Sequence, residues 1–289
     1  MRELEAPKFE RAKSGEELDM RDVTVIMPIA GLGMRAREVT KDAIPKTLIE
    51  LEGGKTVLDR ICEQLQEAGF RHFVFCVGHH KEQVIDHLST ENWANKEGVD
   101  YQFSEEETLS GVEGAVLNAI ETLDLKGQAM IVPGDMLHDM DALVELNRAH
   151  KDSGAGITMG TTGNITERTG DVDKMVIEEG TNRLLWMFDR TEEPVTGVPG
   201  TANTTRIGVD IIDIDYFKDL CDQFLEANPH QNKNIGMRDT LGPWVIQMGN
   251  TALHAFETQA EVVDMGTPDT IYYGQANWRT INSRQPTEN

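Results

Sequence analysis

The order in which short apolar runs alternate with amphipathic stretches constrains the fold of this chain most strongly. "VTVIMPIA" (23–30), "HFVFCVG" (72–78), "AMIVPGD" (129–135) and "GITMGTT" (156–162) are short and rich in apolar and β-branched residues. That is the form of strands buried on both faces. "VDYQFS" (99–104) reads as a further strand. Between them, "KTVLDRICEQLQEAGF" (55–70) places Val57, Leu58, Ile61, Cys62, Leu65 and Ala68 on one helical face and stops at Gly69. "KEQVIDHL", "GVEGAVLNAIETL" and "DALVELNRAHKDSG" read as further helices, the last stopped by Gly154. The alternation predicts an α/β fold, a Rossmann-like, mostly parallel sheet flanked by helices. After about residue 160 the pattern loosens. Strands are expected near "KMVIEE", "RLLWMF", "RIGVDII" and "ALHAFE", and helices near "YFKDLCDQFLEA" and "DTIYYGQANW". The expected layout is a polar extension over 1–21, one domain over 22–282 and a tail over 283–289. Within the domain, 22–160 would bind nucleotide and 161–282 would form a smaller mixed part. The Gly-, Pro- and Thr-rich loop 191–205 is expected to be exposed.

Charge narrows the partners. Fifty acidic residues against 27 basic ones give a formal charge of -23. Such a surface repels nucleic acid and anionic membranes, so neither is an expected partner. It also suits a salty interior, where self-repulsion is screened. No apolar run approaches the ~18 residues of a membrane span. The charged start, "MRELEAPKFERAKSGEELD", lacks the apolar centre of a signal peptide, and a cytoplasmic location is expected. Cys62, Cys76 and Cys221 fit no metal or disulfide spacing and read as buried thiols. An anionic ligand must be drawn into a negative molecule, so clustered cations are informative.

The first glycine turn carries such cations. In "MPIAGLGMRAREVTKDAIPKTL" (27–48), Gly31 and Gly33 follow the first strand, at the sheet edge where α/β proteins bind ligands. Their small size lets backbone N–H groups approach phosphate. "GLGMRA" has the letters of a dinucleotide loop, with Glu50 or Glu52 near the place of a ribose carboxylate. Thr40 and Ile44-Pro45, however, disfavour the helix such a loop needs. "GGKT" at 53–56 lacks the earlier glycine of a Walker A loop. A long loop carrying Arg35 and, beyond the rigid Pro45, Lys46 suits a triphosphate.

The stretch "IAGLGMRAREVTKDAIPKTL" resembles the signature of the sugar-phosphate nucleotidyltransferases, G-x-G-[TS]-R followed by P-K-x-L, most nearly in its glucose-1-phosphate uridylyltransferase form. Further pieces resemble that family in order, from about Val23 to Trp278. "LSGVEGAVLNAI" resembles its nucleobase loop, which implies that Gly111 faces the base with Glu113 nearby. "VPGDML" resembles the Gly-Asp whose aspartate holds magnesium, and "VVDMGTPDTIYYG" the late segment with a second aspartate. The resemblance thus implies Mg²⁺ on Asp135 and Asp264. It implies a nucleotide contacted by Ala30, Gly31, Leu32, Gly33, Met34, Gly111, Glu113 and Gly134, with Arg35, Lys46 and Asp135 as catalytic residues. It implies a nucleotidyltransferase or GT-A-like fold with a C-terminal sugar-binding part. The partners would be a nucleoside triphosphate and a sugar 1-phosphate, with UTP and glucose 1-phosphate favoured, and a homo-oligomer is allowed.

Departures accompany the likeness. Met34 stands in place of the usual Thr or Ser. Asp189-Arg190, in "MFDRTEEP", stands near the place of the Glu-Lys that holds the sugar phosphate. In "TTRIGVDII" Gly208 remains, while the sugar-facing asparagine does not. Asp139 or Asp141 reads as a helix cap, "DIIDIDYF" as a strand exit and cap, and His79-His80 in "VGHHKEQ" as a solvated turn. Two other readings stay open: a same-fold cytidylyltransferase for a non-sugar phosphate such as phosphocholine, and a degenerate binding module that senses nucleotide sugars. An NAD-binding oxidoreductase is the third rival, with no use for Lys46 or Asp264.

Overall fold

The computed structural model describes residues 19–91, 93–94, 96–163, 173–188, 197–249, 253–258 and 262–281. β1 (Val23–Pro28) lies at the centre of the first half. After a single helical turn, α1 (Arg37–Thr40), the chain forms α2 (Val57–Glu67), β2 (His72–Val77), α3 (Lys81–Thr90) and β3 (Asp100–Glu105). α4 (Gly111–Leu123) then crosses to β4 (Gln128–Ile131). β2 and β4 flank β1 in parallel, and β3 adds in parallel to β2. A short β5 (Met136–His138) and α5 (Met140–Ser153) lead to β6 (Ile157–Thr162).

The later strands join the same sheet. β7 (Lys174–Glu178) and β8 (Leu184–Phe188) form a hairpin against the start of β9 (Thr201–Asp213). β9 runs antiparallel between β4 and β6. After α6 (Ile214–Ala227) and α7 (Gly242–Gln247), β10 (Leu253–Thr258) pairs in parallel with β6. The order is β10-β6-β9-β4-β1-β2-β3, and among the described strands of that path β9 alone is reversed. The predicted mostly parallel α/β sheet is therefore present. The expected exposed loop is shorter than anticipated: Thr201 to Thr205 belong to β9, and Thr204 and Thr205 are buried by β7 and β6.

Strict alternation places successive side chains of a strand on opposite faces. In β1, Val25 and Met27 pack with Leu58, Ile61 and Leu65 of α2, while Ile26 packs with Val116 and Ile120 of α4. Burial of each such side chain contributes about 1.5–3 kcal/mol, which fixes the carboxyl end of β1 between two helical layers. α2 begins with a reciprocal cap. Thr56 Oγ1 accepts from the Asp59 N–H (3.1 Å), and the Asp59 carboxylate accepts from the Thr56 N–H (3.0 Å).

β11 (Val262–Asp264) and α8 (Pro268–Ile281) close the described chain. β11 pairs antiparallel with β5, Asp264 opposite Met136. α8 is anchored to the loop before α2. Gln275 Nε2 donates to the Glu50 carbonyl (2.7 Å) and Trp278 Nε1 to the Glu52 carbonyl (3.1 Å). The Arg60 guanidinium lies 4.8 Å from the Trp278 ring. No helix among the described residues is long and apolar enough to cross a membrane. The three cysteines are free and buried, and burial pushes each thiol up, away from the reactive thiolate.

Candidate active site

β1 gives way to Ile29 and Ala30, still held to β2 by the Ile29 N–H to the Cys76 carbonyl (3.0 Å). The glycine turn follows. A side chain at Gly31 would meet nothing within 4 Å, so the turn borders open space there. Gly33 adopts the left-handed conformation, φ 60°, and a Cβ there would sit 3.1 Å from Lys46 Cγ. The turn and the lysine stem are thus in contact. Leu32 and Met34 are exposed. The chain then makes a 3-10 turn, Met34–Ala36, and the four residues of α1, ended by Lys41 in the left-handed region. A dinucleotide loop would run directly into a long helix, and this one does not.

Pro45 is extended and directs Lys46 back under the turn. Lys46 Nζ pairs with the Asp135 carboxylate. Arg35 Nη2 lies 3.5 Å from Asp264 Oδ2. Arg35 and Lys46 therefore each face one of the two candidate metal carboxylates. These arrive from adjoining segments: Asp135 follows β4, Asp264 ends β11, and the Met265 N–H donates to the Asp135 carbonyl (2.9 Å). Two glycines maintain this approach. A Cβ on Gly134 would fall 2.3 Å from Ile29 Cγ2, and one on Gly266 would fall 2.8 Å from both Asp264 oxygens and 3.0 Å from Arg35 Nη2. Two hard carboxylates at neighbouring strand ends fit Mg²⁺, which takes one or two protein carboxylates beside phosphate and water.

A cleft of about 300 Å³ opens beside this group, lined by Gly31, Lys46, Asp135, Leu109, Gly111 and Val112 among others. Gly111 has φ 78°, and its Cβ would strike the Ile235 carbonyl at 2.3 Å. The segment around Ile235 crosses the start of α4, where the Ile235 N–H donates to the Ser110 carbonyl (2.8 Å). Gly208, φ 78°, borders the same region, its Cβ position 3.0 Å from Met136 Sδ and 3.1 Å from Pro133 Cγ.

Glu113 is placed differently from its expected position beside a base. It does not line the cleft, and it is 1% exposed. Its carboxylate accepts from the Met237 N–H (2.8 Å) and from Arg206 Nη2 (3.1 Å). Arg206 also pairs with the buried Asp210, and Asp173 bridges Arg206 (3.8 Å) to Arg238 (3.2 Å). Burial pushes the Glu113 carboxyl up, against the opposing pull of Arg206. Burial disfavours the Arg206 charge, but Asp210 and Glu113 outweigh it and hold the guanidinium protonated. The sequence offered one signal of this cluster, an arginine two residues before Gly208 where the resemblance expects asparagine.

Asp189 and Arg190 lie outside the described residues. Asp139 caps α5, accepting from the Asp141 N–H (3.0 Å), and Asp213 caps α6, accepting from the Tyr216 N–H (2.8 Å).

Fold and site define an α/β protein with a glycine turn, two cations and two carboxylates gathered at one edge of its sheet. The sequence model of the nucleotidyl transferases matches residues 23–169, and the chain belongs to that family. It is 27% identical over 170 residues to the bifunctional protein GlmU of Caldanaerobacter subterraneus subsp. tengcongensis, covering 55% of this chain and 34% of the relative. It is 28% identical over 123 residues to the UTP–glucose-1-phosphate uridylyltransferase AglF of Haloferax volcanii, covering 43% of this chain and 47% of that one. The matched part therefore spans less than half the length of these relatives. Among solved structures, the inositol-1-phosphate CTP transferase from T. maritima shares the fold with TM-score 0.70 at 16% identity, over 93% of this chain and 100% of that one. HddC from Yersinia pseudotuberculosis, complexed with GMP-PN, does so with TM-score 0.67 at 20% identity, over 89% and 99%.

Proposed function

We propose that the chain transfers a nucleotidyl group from a nucleoside triphosphate to a sugar 1-phosphate, giving a nucleoside-diphosphate sugar and pyrophosphate. The observation that carries this reading is the pairing of Arg35 with Asp264 and of Lys46 with Asp135 beside an open glycine turn. An NAD-dependent oxidoreductase has no use for such a set. An oxygen of the acceptor phosphate attacks the α-phosphorus in line, and the bond to the leaving pyrophosphate breaks. The acceptor needs no base, because a phosphate monoester with a second pKa near ~6 is already ionised. Amides of the Gly31–Gly33 turn orient the triphosphate. Arg35 and Lys46 exchange carboxylate for phosphate and offset the charge that develops on the leaving group. Asp135 and Asp264 would hold Mg²⁺, which supplies Lewis-acid neutralisation of the α-phosphate when bound. Arg190 is our candidate for the acceptor phosphate and Gly208 for the sugar side.

UTP and glucose 1-phosphate are the substrates we favour, in keeping with the uridylyltransferase relative. Arg206 at the expected asparagine position favours keeping a second reading, a non-sugar phosphate acceptor with CTP. The deciding experiment is pyrophosphate release with UTP, dTTP, GTP and CTP against a panel of sugar 1-phosphates, phosphocholine and inositol 1-phosphate, with and without Mg²⁺, in low and high salt. Mg²⁺-dependent release with a sugar 1-phosphate is the expected result. Triphosphate binding without pyrophosphate release for any acceptor in the panel would favour a sensor.

A further inference from the structure

The turn after β2 is half-exposed, as its sequence suggests, yet it shields two ring nitrogens. Nε2 of His79 and Nε2 of His80 are both out of contact with water, and neither has a hydrogen-bond partner. The two rings lie 3.9 Å apart between centroids. Asp42 comes to the same place from the loop between Arg35 and Lys46. Its Oδ1 is 3.7 Å from His79 Nε2, too long for a hydrogen bond. One ligand atom from each of the three residues lies within 4.8 Å of the others. Asp42 (φ 58°) and His80 (φ 59°) both lie in the left-handed region, next to the end of α1 and the start of α3 respectively. The other Asp42 oxygen lies 3.6 Å from Arg37 Nη2. In a second acid–imidazole cluster, Asp59 with His87 and Glu91, the α2 cap and the Trp93 N–H engage the Asp59 carboxylate more fully.

We propose that Asp42, His79 and His80 form a binding site for a divalent transition ion of the zinc type, separate from the magnesium carboxylates. Two imidazoles and one carboxylate suit zinc, cobalt or nickel, whereas magnesium prefers oxygen alone. Bonds of ~2.0–2.2 Å require the ligand atoms to close by about an ångström, which side-chain rotation provides. A support for the imidazole is within reach: Gln83 Nε2 lies 3.3 Å from His80 Nδ1 and donates to the Ala43 carbonyl (3.0 Å). Metal on Nε2 puts the ring proton on Nδ1, so Gln83 turns its amide oxygen to the ring and water serves the exposed Ala43. The ion would join the loop that carries Arg35 and Lys46 to the β2–α3 turn. That turn lies behind the glycine turn, since a Cβ on Gly78 would fall 2.9 Å from Ala30 Cβ. The proposal does not depend on which reaction the chain performs.

The test is calorimetric titration of the untagged, chelator-stripped chain with zinc in excess magnesium, alongside visible absorption with cobalt. One saturable equivalent is expected. Asp42→Asn, His79→Gln and His80→Asn should each weaken it at least about tenfold. Asparagine tolerates the left-handed backbone at 42 and 80, and thermal melts identify any variant that has unfolded, leaving the others to decide. Zinc should also slow hydrogen exchange of residues 37–46. The absence of saturable binding at roughly 100 μM zinc, or equal affinity in all folded variants, would overturn the site. Unchanged exchange in the zinc-bound chain would overturn its role as a loop staple.

Discussion

At the scale of single residues, the site depends on charge placed at short reach. Lys46→Ala and Asp135→Asn should each slow pyrophosphate release by about 10²–10³-fold while leaving the melting temperature close to that of the parent. Steady-state assays beside thermal melts check both, and near-parental turnover in Asp135→Asn would remove its metal role. Gly111→Ala tests geometry instead. Its Cβ would fall 2.3 Å from the Ile235 carbonyl at a φ of 78°, so destabilisation of about 1–3 kcal/mol should accompany loss of nucleotide binding in denaturant titrations. Arg35, Lys46, Asp135 and Asp264 were legible because an ordered signature named them and the structure gathers them. Glu113 was not, because helical spacing does not say whether an acid at the start of α4 faces a cleft or a buried arginine 93 residues away.

At the scale of elements, two ionic joints tie the layers together, one between a helix and the sheet and one between two helices. Arg206 on β9 serves Glu113 of α4 and Asp210 on its own strand, both almost fully buried. Arg206→Ala leaves these acids without a counter-charge and should cost about 3–5 kcal/mol, read as a shift in the urea midpoint at unchanged slope. Arg206→Ala with Glu113→Gln should recover part of that loss. The second joint is Asp59–His87, between α2 and α3 (2.8 Å). Burial pushes the Asp59 carboxyl up, but hydrogen bonds from His87, Trp93 and Thr56 outweigh it and hold the group at about 2. The Asp59 hydrogen bond raises the His87 imidazole above 6.5, against partial burial. The folded state therefore binds the His87 proton more tightly than the unfolded state. This contribution is complete below pH ~6.5 and fades as pH rises through the raised value. The Asp59 contribution fades only as pH falls from about 3.8 towards 2. His87→Gln should destabilise most between pH ~4 and ~6.5 and progressively less above it, as melts across pH will show. A constant difference up to pH ~9 would sink the assignment. Apolar periodicity predicted the helices that these joints connect. It could not predict that β9 enters reversed, because a period of two carries no direction.

At the scale of the whole molecule, the charge of -23 governs the conditions under which the fold is most secure. Raising NaCl from about 0.1 M to about 1 M shortens the screening length from ~10 Å to ~3 Å. Long-range repulsion then weakens more than the buried joints, and the melting temperature should rise by a few degrees. A fall would mean that exposed pairs such as Lys55–Glu63 dominate instead. The alternation of the first 160 residues made the parallel half of the sheet legible, since each crossover helix states its own length and apolar face. The β5–β11 pair was not legible, because two three-residue strands far apart in the chain carry too little pattern to be matched.

That pair bears on how the protein is made. Synthesis runs from the amino end, so Asp135 and β5 leave the ribosome well before β11 exists. Until then the β5 edge has no ladder partner and Asp135 no neighbouring carboxylate. A nascent chain can acquire its glycine turn and central sheet and still be unable to assemble the carboxylate pair. Competence would arrive in one late step, when the segment carrying Asp264 docks.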